Sequence, residues 1–87
     1  LAIKLPKNLT LEDGAALPAT FITAYSAIYD MARVRAGDKV LIDCATGGLG
    51  TLMLQMLKSI GAETIGLTSS ESKKSVIEAA TKVQAAI

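Results

Sequence analysis

The sequence predicts an α/β fold in which a β-α-β-α unit of parallel sheet is preceded by two helices. Three observations predict it. A short continuous apolar run, "KVLIDC" (residues 39–44), suits a central strand buried on both faces. Three glycines, Gly47, Gly48 and Gly50, follow it directly. Beyond them the apolar spacing becomes helical and then returns to a second strand-like run, "ETIGLT" (residues 63–68). Strands alternating with helical segments form parallel sheets with right-handed crossovers.

The elements follow in order. Pro6 and Asn8 are turn residues, and Thr10 with Asp13 three positions on is a capping-box-like helix start. Gly14 weakens this first helix, and Pro18 is expected to end or kink it near Leu17. A second helix is expected from about Ala19 to Arg33, with Phe21, Ala24, Tyr25, Ile28, Met31 and Ala32 on one buried face. "RAGDK" (residues 35–39) reads as a turn centred on Gly37. After the strand and the glycines, apolar residues at 49, 52, 53, 56, 57 and 60 mark an amphipathic helix, and Gly61 suits its C-cap. Ser69 or Ser70 can cap a last helix whose stripe is Val76, Ala80, Val83 and Ile87.

Composition narrows the function. The 87 residues are 51% hydrophobic, which excludes disorder, and a chain of this length builds one small domain. Nine basic and eight acidic residues balance to +1, so no charged field points to nucleic acid or to an anionic membrane. No apolar run approaches the roughly 20 residues of a membrane span. The single Cys44 forms no internal disulfide and suggests a reducing compartment, the cytoplasm. There is no His, and one Cys gives no Cys/His cluster, so no zinc site is expected.

The chemistry lies in "ATGGLG" (residues 45–50). The dinucleotide fingerprint is G-x-G-x-x-G between a strand and a helix, and here it falls on Ala45, Gly47 and Gly50, with Gly48 extra. The middle glycine lets backbone amides approach a pyrophosphate, and the last lets the helix pack close to the strand. The helix N-terminus then offers free amides and a positive dipole end. Ala45 replaces a glycine that mainly serves the tight turn. A P-loop is excluded because Thr51 and Leu52 follow Gly50 where Lys and Ser/Thr are required. The T-G-x-x-x-G-x-G pattern of short-chain ketoreductases fails at Thr51 and Met53. A tight turn without ligand is the competing reading. The fold class is thus a partial Rossmann-type doubly wound parallel sheet.

An NAD site wants Asp or Glu at the end of the second strand, about 20 residues on. After Leu67 the chain instead reads "TSSESKK" (residues 68–74). Hydroxyls of Ser69 and Ser70 with the ammonium of Lys73 suit a 2′-phosphate, which a carboxylate would repel. The expected cofactor is therefore NADPH. Glu71 argues against it but lies beyond the strand end. The competing reading makes the serines a helix cap and Lys73 and Lys74 a solvated face.

"AALPATFITAYSAI", "RAGDKVLIDCATGGLG" and "GAETIGLTSSESKK", in this order and spacing, resemble the medium-chain dehydrogenase/reductase superfamily. The similarity is to its zinc-independent quinone-oxidoreductase branch, which includes the enoyl reductases of polyketide synthases. It implies a bilobal NADPH-dependent reductase, often homodimeric, that delivers hydride to an α,β-unsaturated carbonyl, either small or carried on an acyl carrier. By the same resemblance Gly48 and Leu49 lie against the pyrophosphate, and Ser69 to Lys73 hold the 2′-phosphate. Thr23 matches a threonine beside the nicotinamide. The chain departs from the pattern in three places. Asp43 stands where the family often has His, and Cys44 and Thr46 replace small Ala or Ser residues. No Gly-Ala-Asp follows Lys74, so residues 75–87 could be helix throughout or an altered strand.

Residues 1–36 are expected to be a helical lead-in to a substrate lobe, and residues 37–87 the first half of an NADP-binding domain. By the same resemblance a lysine near position 73 is a candidate for substrate protonation, a role ranked below phosphate binding for Lys73, so the catalytic residues stay unknown and the 87 residues alone are expected to be inactive. The alternative function is a non-catalytic nucleotide-binding or structural segment of a larger synthase.

Overall fold

The computed structural model of the chain describes residues 2–81 and 84–86. Helix α1 spans Leu11–Tyr25, continues into a π-helical turn at Ser26–Met31, and precedes strand β1 at Lys39–Ile42. Helix α2 (Gly48–Ile60), strand β2 (Glu63–Leu67), helix α3 (Glu71–Thr81) and strand β3 (Gln84–Ala86) complete the chain. The strands form a parallel sheet in the order β1-β2-β3. Its register is set by Ile42 opposite Gly66 and by Gly66 opposite Ala85. The expected β-α-β-α unit is present, and β3 extends it. The undecided last segment is therefore a helix followed by a strand.

The expected start of α1 is built as a full capping box. Thr10 Oγ1 accepts from the Asp13 amide at 3.1 Å, and Asp13 Oδ2 accepts from the Thr10 amide at 3.0 Å. These bonds stabilise the ionised carboxylate and lower the Asp13 pKa, the Thr10 backbone amide contributing most. The break expected at Pro18 does not occur: α1 runs through it. Proline removes only the bond to the Gly14 carbonyl. The capped first turn before it and the buried Ala24 after it hold the helix together. Gly14 has a packing role as well as a low helix propensity. A Cβ there would lie 3.0 Å from Leu5 Cδ1, so the glycine makes room for the N-terminal segment.

The helical run is also shorter than expected at its far end and changes pitch. Hydrogen bonding widens over Ser26–Met31, where the Ala32 amide reaches Ala27 O at 2.9 Å. Arg33, expected inside the helix, has φ +52° and leaves it. Of the expected buried face only Ala24 and Ile28 are buried. Phe21 and Tyr25 are partly exposed and Met31 is 81% exposed, because no described element covers that side. Phe21, Tyr25 and Tyr29 pack instead on one another, with ring centroids 6.1 and 4.5 Å apart.

Strand β1 is two residues shorter than expected and is an edge strand of this sheet. Burial on both faces is likewise corrected: Leu41 is 61% exposed, whereas Ile42 packs against the core of Ala45, Leu54 and Ile77. On β2 the alternation places Thr64 and Gly66 in the buried layer with Ile42. Thr64 Oγ1 is buried there without a hydrogen-bond partner.

Helix α2 buries Gly50, Leu54 and Leu57, an i, i+4, i+7 stripe rotated from the expected one. Leu54 is central to it, while Leu49 is partly exposed. Burying each of these leucines contributes about 1.5–3 kcal/mol. Gly61 ends the helix at φ +90°, with its amide and that of Ala62 bonded to Leu57 O. The turn expected at Gly37 closes on this cap through Gly37 N to Gly61 O at 3.0 Å. The side chains of Val76, Ala80, Val83 and Ile87, the expected stripe of the last helix, lie outside the described residues. Ile77, adjacent to that stripe, is buried.

Candidate functional site

The parallel register places the C-terminal ends of β1 and β2 at the same edge of the sheet. In open α/β sheets this edge holds the ligand crevice. Residues 43–47 leave β1 there and residues 68–70 leave β2. One backbone bond ties the two loops, Ala45 N to Leu67 O at 2.9 Å.

The β1–α2 turn is organised around the backbone of Cys44, whose N–H and carbonyl are both hydrogen-bonded within it. Cys44 has φ +51°, in the left-handed region. Its carbonyl accepts the Gly47 amide at 2.9 Å, and its own amide donates to Asp43 Oδ1 at 2.8 Å. The glycines around it have different duties. A Cβ on Gly50 would overlap the Cys44 carbonyl and approach Ala45 Cα to 2.7 Å, so this glycine permits the close packing of helix on strand. Ala45, fully buried, is held between Gly50 and Gly66, and a Cβ on Gly66 would lie 2.8 Å from the Ala45 methyl. The alanine in place of the first glycine therefore fills a notch, and Gly66 is the residue that sequence reasoning missed. Its signal was a glycine inside a strand, which marks close approach of another backbone or side chain.

Gly48 is different: a Cβ there would meet nothing within 4 Å. No packing among the described residues requires glycine at this position. Gly47 caps α2 without a side-chain acceptor, and the first intrahelical bond is Thr51 N to Gly47 O at 2.9 Å. The amides of Gly48, Leu49 and Gly50 thus have no partner among the described residues. No acidic residue lies in the first turn. The Thr51 hydroxyl turns back onto Gly47 O at 2.9 Å. Three free amides, the positive dipole end and open space at Gly48 together suit a phosphate group. The residues present therefore fit a dinucleotide.

Beyond β2, Thr68 is buried, and its Oγ1 lies 3.5 Å from the Ser70 amide. Ser70 directly precedes α3. Its carbonyl accepts the Lys73 amide at 3.1 Å, and its hydroxyl meets that of Ser72 at 2.8 Å. Ser69 is exposed. Lys74 pairs with Glu71 at 3.5 Å, whereas Lys73 is exposed and makes no ion pair among the described residues. The carboxylate that argued against a phosphorylated nucleotide is thus partly neutralised by its neighbour, and Lys73 is left available.

Ala45, Gly47, Gly48, Leu49 and Gly50 follow the carboxyl end of β1, and Ser69, Ser70 and Lys73 follow that of the adjacent parallel strand β2. Thr23 stands apart on α1, exposed, with its hydroxyl bonded to Ala19 O at 2.8 Å. An apolar groove of about 490 Å³ lies between the N-terminal segment and α1, lined among others by Leu5, Leu9, Leu17 and Phe21. None of the glycine-loop residues lines it, and its lining is apolar apart from Lys4 and Gly14.

A glycine-bearing strand-turn-helix at the carboxyl edge of a parallel sheet is an arrangement shared with dinucleotide-binding α/β folds, and similarity to known proteins narrows the class. No protein-family model matches the chain. It is 40% identical over 77 residues, 88% of its length, to the highly reducing polyketide synthase phiA of a fungal species. It is 39% identical over 77 residues to a reducing polyketide synthase of Cochliobolus heterostrophus. Each match covers 3% of the longer protein. Among solved structures, JamJ enoyl reductase superposes with a TM-score of 0.85 at 36% identity, over 95% of this chain and 25% of that one. The quinone oxidoreductase of Thermus thermophilus, also solved in complex with NADPH, gives 0.79 at 35% identity, over 93% of this chain and 28% of that one. The chain belongs to the medium-chain dehydrogenase/reductase superfamily, alongside enoyl reductases and quinone oxidoreductases.

Proposed function

We propose that the chain is part of an NADPH-dependent oxidoreductase that transfers hydride to an α,β-unsaturated carbonyl. Residues 37–87 are the first half of its cofactor-binding domain, and residues 1–36 lead in from the substrate lobe. The observation that carries this reading is the pairing of two features at one sheet edge. The amides of Gly48, Leu49 and Gly50 suit a pyrophosphate, and Lys73, like them without a partner among the described residues, suits a 2′-phosphate. The names of the relatives, reducing synthases and enoyl reductases, support the substrate class.

In this reading Gly47 and Gly48 admit the pyrophosphate and the α2 amides bind it. Ala45 and Gly50 fix the turn, while Ser69, Ser70 and Lys73 select the phosphorylated ribose. The nicotinamide, when bound, supplies the hydride. Thr23 is assigned to its vicinity by family resemblance. Neither the wall that orients a substrate nor a proton donor is assigned to these 87 residues.

The test is calorimetric titration of the full-length protein with NADPH and NADH. Tighter binding of NADPH is expected. Equal affinity for the two removes the role given to Lys73 and the serines, and binding of neither removes the cofactor reading.

A further inference from the structure

We propose that Asp43 is a positioning residue for the nucleotide loop: it holds the Cys44 N–H, and so helps to fix the left-handed Cys44 backbone whose carbonyl, in the next peptide, sets the start of α2. This rests on the cofactor reading above. A residue with a Cβ adopts positive φ only against a steric penalty, so the left-handed Cys44 must be held from outside. Three hydrogen bonds hold the segment. Ala45 N is bonded to Leu67 O and Gly47 N to Cys44 O, each at 2.9 Å. The third, Cys44 N to Asp43 Oδ1 at 2.8 Å, is the one formed by a side chain. It is charge-assisted and so stronger than its neutral counterpart.

The Cys44 carbonyl is the point on which the loop turns. It receives the Gly47 amide and lies directly beneath Gly50. Its orientation sets where Gly47 caps the helix, and hence where the amides of residues 48–50 sit. Asp43 is exposed, so removing its carboxylate leaves no cavity.

The test compares Asp43→Ala and Asp43→Asn in the full-length protein, titrated with NADPH and with NADH. Asn keeps an oxygen acceptor and removes the charge. Asp43→Ala is expected to weaken both nucleotides equally, by about three- to tenfold, since the loop serves the pyrophosphate they share. Asp43→Asn is expected to stay within about twofold of the parent, because a side-chain oxygen still accepts the amide. Hydrogen exchange at Ala45 and Gly47, measured without nucleotide, should quicken in the Ala variant and recover in the Asn variant. Unchanged affinity in Asp43→Ala overturns the proposal while leaving the cofactor reading intact. So does equal loss in both variants, or tighter binding in both, which would make the charge the active property. A parent protein that binds neither nucleotide overturns both readings.

Discussion

Gly48→Ala and Gly50→Ala should have opposite effects although the two positions are two residues apart. At Gly50 a methyl would overlap the Cys44 carbonyl and approach Ala45 Cα to 2.7 Å. Both obstacles are backbone, so helix and strand must separate. Overpacking a tight contact costs about 1–3 kcal/mol, and with no flexible side chain to yield, the upper half of that range applies. A loss of about 2–3 kcal/mol in the local opening free energy corresponds to roughly 30- to 150-fold faster exchange of the amides in the 44–50 segment. At Gly48 a methyl meets nothing within 4 Å, and alanine is the better helix former by up to about 1 kcal/mol. Exchange should stay the same or slow, while affinity for NADPH falls because the methyl stands where the phosphate approaches. Hydrogen-exchange mass spectrometry of the full-length variants, with and without nucleotide, reads both quantities. Gly50→Ala exchanging within about threefold of the parent would refute the close-packing argument. Gly48→Ala binding NADPH as tightly as the parent would refute the assignment of its open space to the ligand.

Further expectations follow from the same geometry. Lys73→Ala should weaken NADPH by about tenfold and leave NADH unchanged by fluorescence titration, as an exposed phosphate contact predicts. Leu54→Ala should lower stability by about 2–5 kcal/mol, seen as faster proteolysis of the segment, because the leucine is 1% exposed in the core. Gly66→Ala should destabilise the sheet edge, and adding Ala45→Gly should restore part of the loss. A double-mutant cycle with zero coupling would disprove the contact between the two. The folded-state pKa of Asp13 lies below its unfolded value, so its contribution is complete above the unfolded pKa and is lost as pH falls through the folded one. Acid titration should therefore fray the first turn of α1, and Asp13→Asn should remove that acid dependence.

The order of strands and helices was readable from period and punctuation: Thr10 and Asp13 at a helix start, Gly61 at a helix end, and strand-like runs at 39–44 and 63–68. What escaped depends on contacts distant in sequence. Pro18 marks a helix break locally, but the packing of Ala24 and Ile28 outweighs one missing hydrogen bond. The stripe on α2 was placed one step off because Leu49 and Leu54 are equally apolar in sequence, and the close approach at Gly50 decides which faces the strand. Leu41 and Met31 have the composition of buried residues but are uncovered, since burial depends on neighbours that a residue pattern does not contain. At the site, the glycines and "TSSESKK" were legible as a pair. The pairing of Lys74 with Glu71, which leaves Lys73 available, and the notch shared by Ala45 and Gly66 were not, because each depends on side-chain placement.

The unequal duties of the glycines bear on how such loops drift over evolutionary time. Ala45, Gly50 and Gly66 are tied to the chain's own packing, so under the proposed cofactor reading a descendant that no longer bound a nucleotide would still need all three to fold. Gly48 and Lys73 have no such internal constraint and would be free to change once the ligand was gone. Loss of those two against retention of the other three would therefore mark a domain kept only as scaffold, even where its motif still reads as a dinucleotide loop.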